Sequence, residues 1–134
     1  MGCNMTNRKV HLALAVALIA MLTVVSACSQ SSTSGSILDD ALASGKPTLA
    51  GFVGQECACK NIKPILEELA VEYDGRCNVV TIDVSEHKDL ASQYGIMLTP
   101  TQVYFDSSGA EVERIVGAST KEEMIDRLTG MGVV

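Results

Sequence analysis

Residues 47–73 read PTLAGFVGQECACKNIKPILEELAVEY, and the fold turns on how this stretch divides. The apolar run TLAGFV is bounded by Pro47 and Gly54, the pattern of a short buried strand. From Ile62 onward, Ile62, Ile65, Leu66, Leu69, Ala70 and Tyr73 recur at spacings of three and four, one continuous helical face. Pro64 inside that pattern predicts a kink in the first turns. Between strand and helix stand Cys57 and Cys59, separated only by Ala58. A cysteine at a helix start meets unpaired N–H groups and the positive end of the macrodipole, which favour the reactive thiolate. Cys59, inside the first turn, is expected to be the more covered of the two.

The flanking segments repeat the alternation of strand and helix. SILD (36–39) is a capping box opening a short helix through Ala43 that stops at Gly45. NVVTIDV (78–84) reads as a second buried strand, and EHKDLASQYG (86–95) as a short polar helix with a surface His87. TQVYFD (101–106) and EVERIVG (111–117) are strands joined by an SSGA turn. STKEEMIDRL (119–128) is a closing helix capped by Ser119 or Thr120, with Met124, Ile125 and Leu128 on one face. The order is αβαβαββα. Strands separated by helices favour parallel pairing, and the tight last turn forces an antiparallel pair. The expected class is α/β, with a mixed four-stranded sheet flanked by helices.

At 134 residues the chain holds one domain, and part of its length goes to targeting. Residues 1–9 carry Arg8 and Lys9 and no acid. VHLALAVALIAMLTVV (10–25) follows, apolar apart from His11 and Thr23, and then SAC. Basic, apolar, then small residues make an export signal, and the apolar run sits near the ~17-residue lower limit of a lasting span. VSAC (25–28) resembles the bacterial lipobox, which implies that Cys28 is acylated and becomes the mature N-terminus. MGCNMT (1–6) fits a myristoylation pattern at Gly2, with Cys3 as a palmitate candidate. The apolar core and the better placed Cys28 that follow make it a signal-peptide extension instead. SQSSTSG (29–35) is a flexible tether. The division is therefore 1–27 signal peptide, 28–35 lipidated cysteine and tether, and 36–134 folded domain.

Removing the signal takes two bases and no acid, so the net charge moves from −6 to −8. That balance argues against a nucleic-acid partner. Cys57, Cys59 and Cys77 remain in a compartment where disulfides persist. Cys77 reads as a buried, inert thiol, with a third redox thiol as the lesser alternative.

From Lys46 to Leu128 the chain resembles thioredoxin. Cys59-Lys60, PILEELA (64–70), YGI (94–96), TPTQVYFD (99–106), Gly109 and Val116-Gly117 occur in the family's order and spacing. The resemblance implies a thioredoxin-like fold without a bound cofactor. Where the family has Trp-Cys-x-x-Cys-Lys, this chain has Glu56-Cys57-Ala58-Cys59-Lys60. Aligned without a gap, Glu56 replaces the first cysteine and the redox site is lost. Removing one residue between the cysteines instead keeps Cys57 as the first cysteine and Phe52 as the strand's aromatic. The second alignment is preferred. It places the family's buried acid at Gly51 and its lysine partner at Thr81, so both are missing.

On that alignment the resemblance implies that Cys57 attacks and Cys59 resolves. Thr99 and Pro100 form the cis-proline loop, whose backbone pairs with a bound peptide. A Cys-x-Cys ring is smaller than the usual one, and its strain raises the reduction potential, with ~30 mV worth about 1.4 kcal/mol. Glu56, next to Cys57, would raise its pKa by like-charge repulsion, opposing the effect of the helix end. The function expected is a thiol–disulfide oxidoreductase, reductase or isomerase, acting on the thiols and disulfides of exported proteins. It would face the extracytoplasmic side of the cell membrane through its lipid anchor and draw on a membrane electron-relay protein. Two rivals stand beside it: a Cu(I)-binding module using the two thiolates, and a non-catalytic binding domain. Zinc lacks the four ligands it needs, and no metal is assigned.

Overall fold

The structure, a computed structural model, describes residues 36–55 and 57–134, and for residues 57–59 the backbone alone. The signal peptide, Cys28, the tether and Glu56 therefore lie outside the described residues.

Among the described residues, eight elements follow in the expected order: α1 (Ile37–Ala43), β1 (Thr48–Val53), α2 (Cys57–Glu72), β2 (Asn78–Asp83), α3 (Lys88–Gln93), β3 (Thr101–Phe105), β4 (Glu111–Val116) and α4 (Lys121–Gly130). Helix α1 starts on a complete capping box, Ser36 Oγ accepting from Asp39 N while the Asp39 carboxylate accepts from Ser36 N. Helix α2 runs unbroken through Pro64. Of the two candidate caps for α4, Thr120 is the one used, boxed with Glu123. Ser119 is buried and turns its hydroxyl inward to Gln102. In the hairpin turn, Asp106 Oδ1 accepts from Ser108 N, Ser108 Oγ and Ala110 N, which holds the β3–β4 reversal.

The strands form one mixed sheet in the order β2-β1-β3-β4. Two features differ from the sequence reading. Strand β2 is an edge strand, half-buried except for Ile82, rather than a fully buried one. An edge strand is covered only in part, so its apolar composition overstates its burial. The preference for parallel pairing across a helix holds for β1 with β2 but not for β1 with β3, which is antiparallel. After β2 the chain stays at the end of the sheet where β1 also finishes, and β3 descends along the free edge of β1. That reversal places the start of β3 beside the end of β1.

Strand β1 is buried along its whole length and divides the core by alternation. Leu49 and Val53 pack with Ile62, Leu66 and Leu69 of α2, Tyr104, and Met124 and Leu128 of α4. Ala50 and Phe52 face the other way, against Leu38, Ile82, Leu90, Val103 and Phe105. Full burial of each large apolar side chain contributes roughly 1.5–3 kcal/mol. The ion pairs of Lys121 with Glu68 and Glu72, at 2.8 and 2.9 Å, also link α4 to α2. They lie at the surface, where a pair contributes about 0–1 kcal/mol. Apolar burial therefore decides this packing.

Candidate active site

Three chain segments meet at one end of the sheet, and the strand registers explain why. Phe52 pairs with Thr101, and Thr101 with Val116. The residues just beyond, Gly54, Thr99-Pro100 and Gly117, are thereby brought side by side. The Thr99-Pro100 peptide is cis, as the thioredoxin-like loop requires. Pro100 is buried and Thr99 half-buried. Gly117 donates its N–H to the Pro100 carbonyl at 2.8 Å, and Thr101 Oγ1 donates to the Leu98 carbonyl at 2.7 Å. A Cβ on Gly54 would stand 3.0 Å from Thr99 Oγ1, so the loop lies directly against the chain that leads to Cys57.

Helix α2 begins at Cys57. The first cysteine thus occupies the helix start expected of it, and Cys59 falls within the first turn. The positions of both thiols lie outside the described residues. The first turn holds no acidic residue and carries Lys60, whose side chain is exposed. Both features favour negative charge on a thiol at the helix start. Across the cis-proline loop, Met97, Leu98 and Val116 are large apolar side chains left exposed. They border a shallow depression of about 140 Å³ that also takes in Thr101 and Arg114.

Behind the helix, the residues present agree with the missing acid. Gly51 pairs with Thr81 on one side and Gln102 on the other. No carboxylate or ammonium occupies that row. Among the described residues, the ion pair on α2 that stands nearest in sequence to the cysteines is Lys63 Nζ with Asp83 Oδ2 at 3.2 Å. Lys63 stands four residues past Cys59, on the same side of the helix. Hydrogen bonds from the Ser85 hydroxyl and N–H, and from Lys63, pull the Asp83 carboxyl down to about 2. This aspartate is therefore ionised at any ordinary pH and is no proton acceptor. Sequence reading passed over Lys63 and Asp83. The i, i+4 spacing of Lys63 from Cys59 was the available signal.

Cys77 lies elsewhere. It precedes Asn78, which pairs with Thr48 at the opposite end of the sheet. The 16 residues of α2, about 24 Å of helix, separate that end from Cys57. Its side chain is buried and its thiol donates weakly to the Asn78 carbonyl at 3.4 Å. Burial raises its pKa to about 11, against a smaller lowering by the Leu49 backbone. Such a thiol is neutral and unreactive at neutral pH.

Gln102 was the other residue missed. Alternation along TQVYF sets residue 102 on the same face as Tyr104, so a glutamine there was the anomaly to notice.

A family model for thioredoxin matches residues 30–130. A thioredoxin of Staphylococcus saprophyticus is 38% identical over 89 residues, covering 66% of this chain and 84% of that protein. A thioredoxin of Staphylococcus epidermidis is 40% identical over 70 residues, covering 52% of this chain and 66% of that protein. One from Staphylococcus aureus is 39% identical over the same length. With the mixed sheet, the cis-proline loop and the helix opening at Cys57 all in place, the chain belongs to the thioredoxin family, and so to thiol–disulfide redox chemistry in general.

Proposed function

We propose that this protein is a lipid-anchored thiol–disulfide oxidoreductase that works on exported proteins from the extracytoplasmic face of the membrane. The observation that carries the reading is the cis Thr99-Pro100 loop lying against Gly54, three residues before the helix that starts at Cys57. The anchor is Cys28 within VSAC, preceded by a basic and apolar signal and followed by the Ser-rich tether.

In the reducing direction, the Cys57 thiolate attacks one sulfur of a substrate disulfide. That S–S bond breaks, a Cys57–substrate disulfide forms, and the other substrate sulfur leaves as a thiolate. Cys59, deprotonated, then attacks Cys57 Sγ. The Cys57–Cys59 disulfide forms and the second substrate sulfur leaves, so two electrons have passed to the substrate. A dithiol electron-relay protein in the membrane would return the couple to its reduced state. Thr99 and Pro100 hold the substrate as an extended segment through backbone hydrogen bonds, in the manner of strand addition. With Leu66 packed at Gly51, the proton on Cys59 passes to solvent or to the leaving thiolate rather than to a buried acid.

The test uses the full chain in detergent, reduced with dithiothreitol and then freed of it. It should reduce the disulfides of insulin stoichiometrically, whereas the Cys57→Ser/Cys59→Ser double variant should not. Wild-type protein that transfers no electrons to any disulfide, yet titrates with one Cu(I) per Cys57–Cys59 pair under anaerobic conditions, would instead support the metal-binding rival.

A further inference from the structure

Gln102 is fully buried in β3, two residues past the cis proline. It lies on the sheet face that carries Tyr104, opposite Gly51 in the β1–β3 ladder. An amide buried there without partners would be left desolvated and unsatisfied. Both ends of this one are paired. Nε2 donates to the Gly117 carbonyl at 2.9 Å, and Oε1 accepts from the Ser119 hydroxyl at 2.8 Å.

An apolar side chain of the same volume would leave the Gly117 carbonyl and the buried Ser119 hydroxyl without this partner, so the amide contributes to stability. It also supplies direction. The Gly117 N–H is already held by the Pro100 carbonyl at 2.8 Å. Gln102 takes the carbonyl of that same residue, so Gly117 is gripped from both sides. Its φ of +109° lies where only glycine is at ease, so the backbone here needs holding in place. Ser119 extends the network to the residue before the Thr120 cap of α4. Val116, immediately before Gly117, is exposed beside the cis-proline loop.

We infer that Gln102 is a positioning residue for substrate. It fixes the Val116-Gly117 wall against the Thr99-Pro100 wall, so that an extended peptide docks in one register. Gln102 itself touches neither thiol nor substrate and acts through Gly117. This inference rests on the thiol–disulfide reading above and names how that site recognises a protein rather than a small molecule. A peptide disulfide must lie along both walls. A small aromatic disulfide such as 5,5′-dithiobis(2-nitrobenzoate) needs neither.

Steady-state reduction of insulin by the full chain, with dithiothreitol as the recycling reductant, and single-turnover reduction of the small disulfide by the pre-reduced chain separate the two substrates. Gln102→Met should raise KM for insulin about three- to tenfold, the range that one lost buried hydrogen bond produces. It should leave kcat, and the rate with the small disulfide, where they were. Ser119→Ala removes only the Oε1 partner and should produce a smaller rise in KM. Faster amide exchange at Gly117 in Gln102→Met would show that the wall has loosened. Should Gln102→Met fail to fold, Ser119→Ala, which leaves the Gly117 bond in place, carries the test through its smaller rise in insulin KM with the rate on the small disulfide unchanged. An unchanged insulin KM, or equal losses on both substrates, overturns the role given to Gln102 while leaving the proposed function intact. Failure of the wild type on both substrates overturns the proposed function and this inference with it.

Discussion

Leu66 fills the volume that a side chain at residue 51 would need: a Cβ placed on Gly51 would overlap the Leu66 Cδ1 methyl. The absence of an acid in β1 is therefore built into the packing and is not a gap waiting to be refilled. Gly51→Asp must displace Leu66, at roughly 1–3 kcal/mol for overpacking, and must also bury a carboxylate with no cation across the ladder. A loss of at least ~2 kcal/mol is expected, read from the urea midpoint. Adding Leu66→Ala should recover part of the steric share, giving a coupling of ~1 kcal/mol in a double-mutant cycle. A neutral Gly51→Asp would mean that this part of the core yields far more easily than its packing indicates.

Alkaline stability follows from two buried acids whose neutral forms the fold prefers. Burial lifts Cys77 from 9.0 to about 11 and Tyr104 from 10.0 to about 12. For a group raised on folding, the unfolded chain loses its proton first, so stability falls as pH rises between the two values. The contribution should be whole below about pH 9 and should decline progressively through pH 9–12. Urea midpoints at pH 8, 9.5 and 11 would show it. Tyr104→Phe should flatten the upper part of the decline. Its hydroxyl has no hydrogen-bond partner among the described residues, so its loss should cost little at pH 7. An unchanged slope in both Tyr104→Phe and Cys77→Ala would assign the decline to other groups.

Much of this architecture was legible because local signals agreed. The 3.6-residue stripe from Ile62 to Tyr73, the capping boxes at Ser36 and Thr120, and the run TLAGFV each specify one kind of element. The loop TPT was legible only through resemblance, since nothing in an isolated X–Pro pair selects the cis form. Other features depend on which strands become neighbours. Val79 and Val80 look like core residues in the sequence, yet their strand closes one edge and leaves them half-buried. Gln102 reads as a lapse in an apolar alternation until β4 turns Gly117 and Ser119 toward it. Leu66 belongs to an ordinary helical stripe, and its meeting with Gly51 needs the sheet and α2 in register.

Membrane attachment can be tested apart from the chemistry. Cys28→Ser removes the sulfur that would carry lipid while leaving the signal and the tether unchanged. The mass of the purified protein should fall by the lipid adduct, and its membrane fractionation should change. Unaltered mass and fractionation would count against VSAC as a lipidation site. The redox couple should be unaffected either way, because Cys28 precedes the folded domain.

The two cysteines of α2 should differ sharply when separated. Cys57 opens the helix, where free N–H groups favour a thiolate, and Lys60 adds a cation within the same turn. Cys59 falls within that first turn, and neither an acid nor a base stands at residues 51 and 81. Cys57 should therefore titrate lower and react first. In Cys59→Ser the attacking thiol remains and nothing releases the product, so mixed disulfides with exported proteins should accumulate and disappear on reduction. Cys57→Ser should trap almost none. A Cu(I) clip predicts a different pair of results, with both variants losing copper equally and neither collecting protein adducts. Glu56 sets the margin of the contrast, because an adjacent carboxylate raises the pKa of Cys57 and slows it. Glu56→Gln in the Cys59→Ser background should accordingly speed trapping at pH 7. Equal trapping by the two single variants would mean that Cys57 is not the first cysteine of the site.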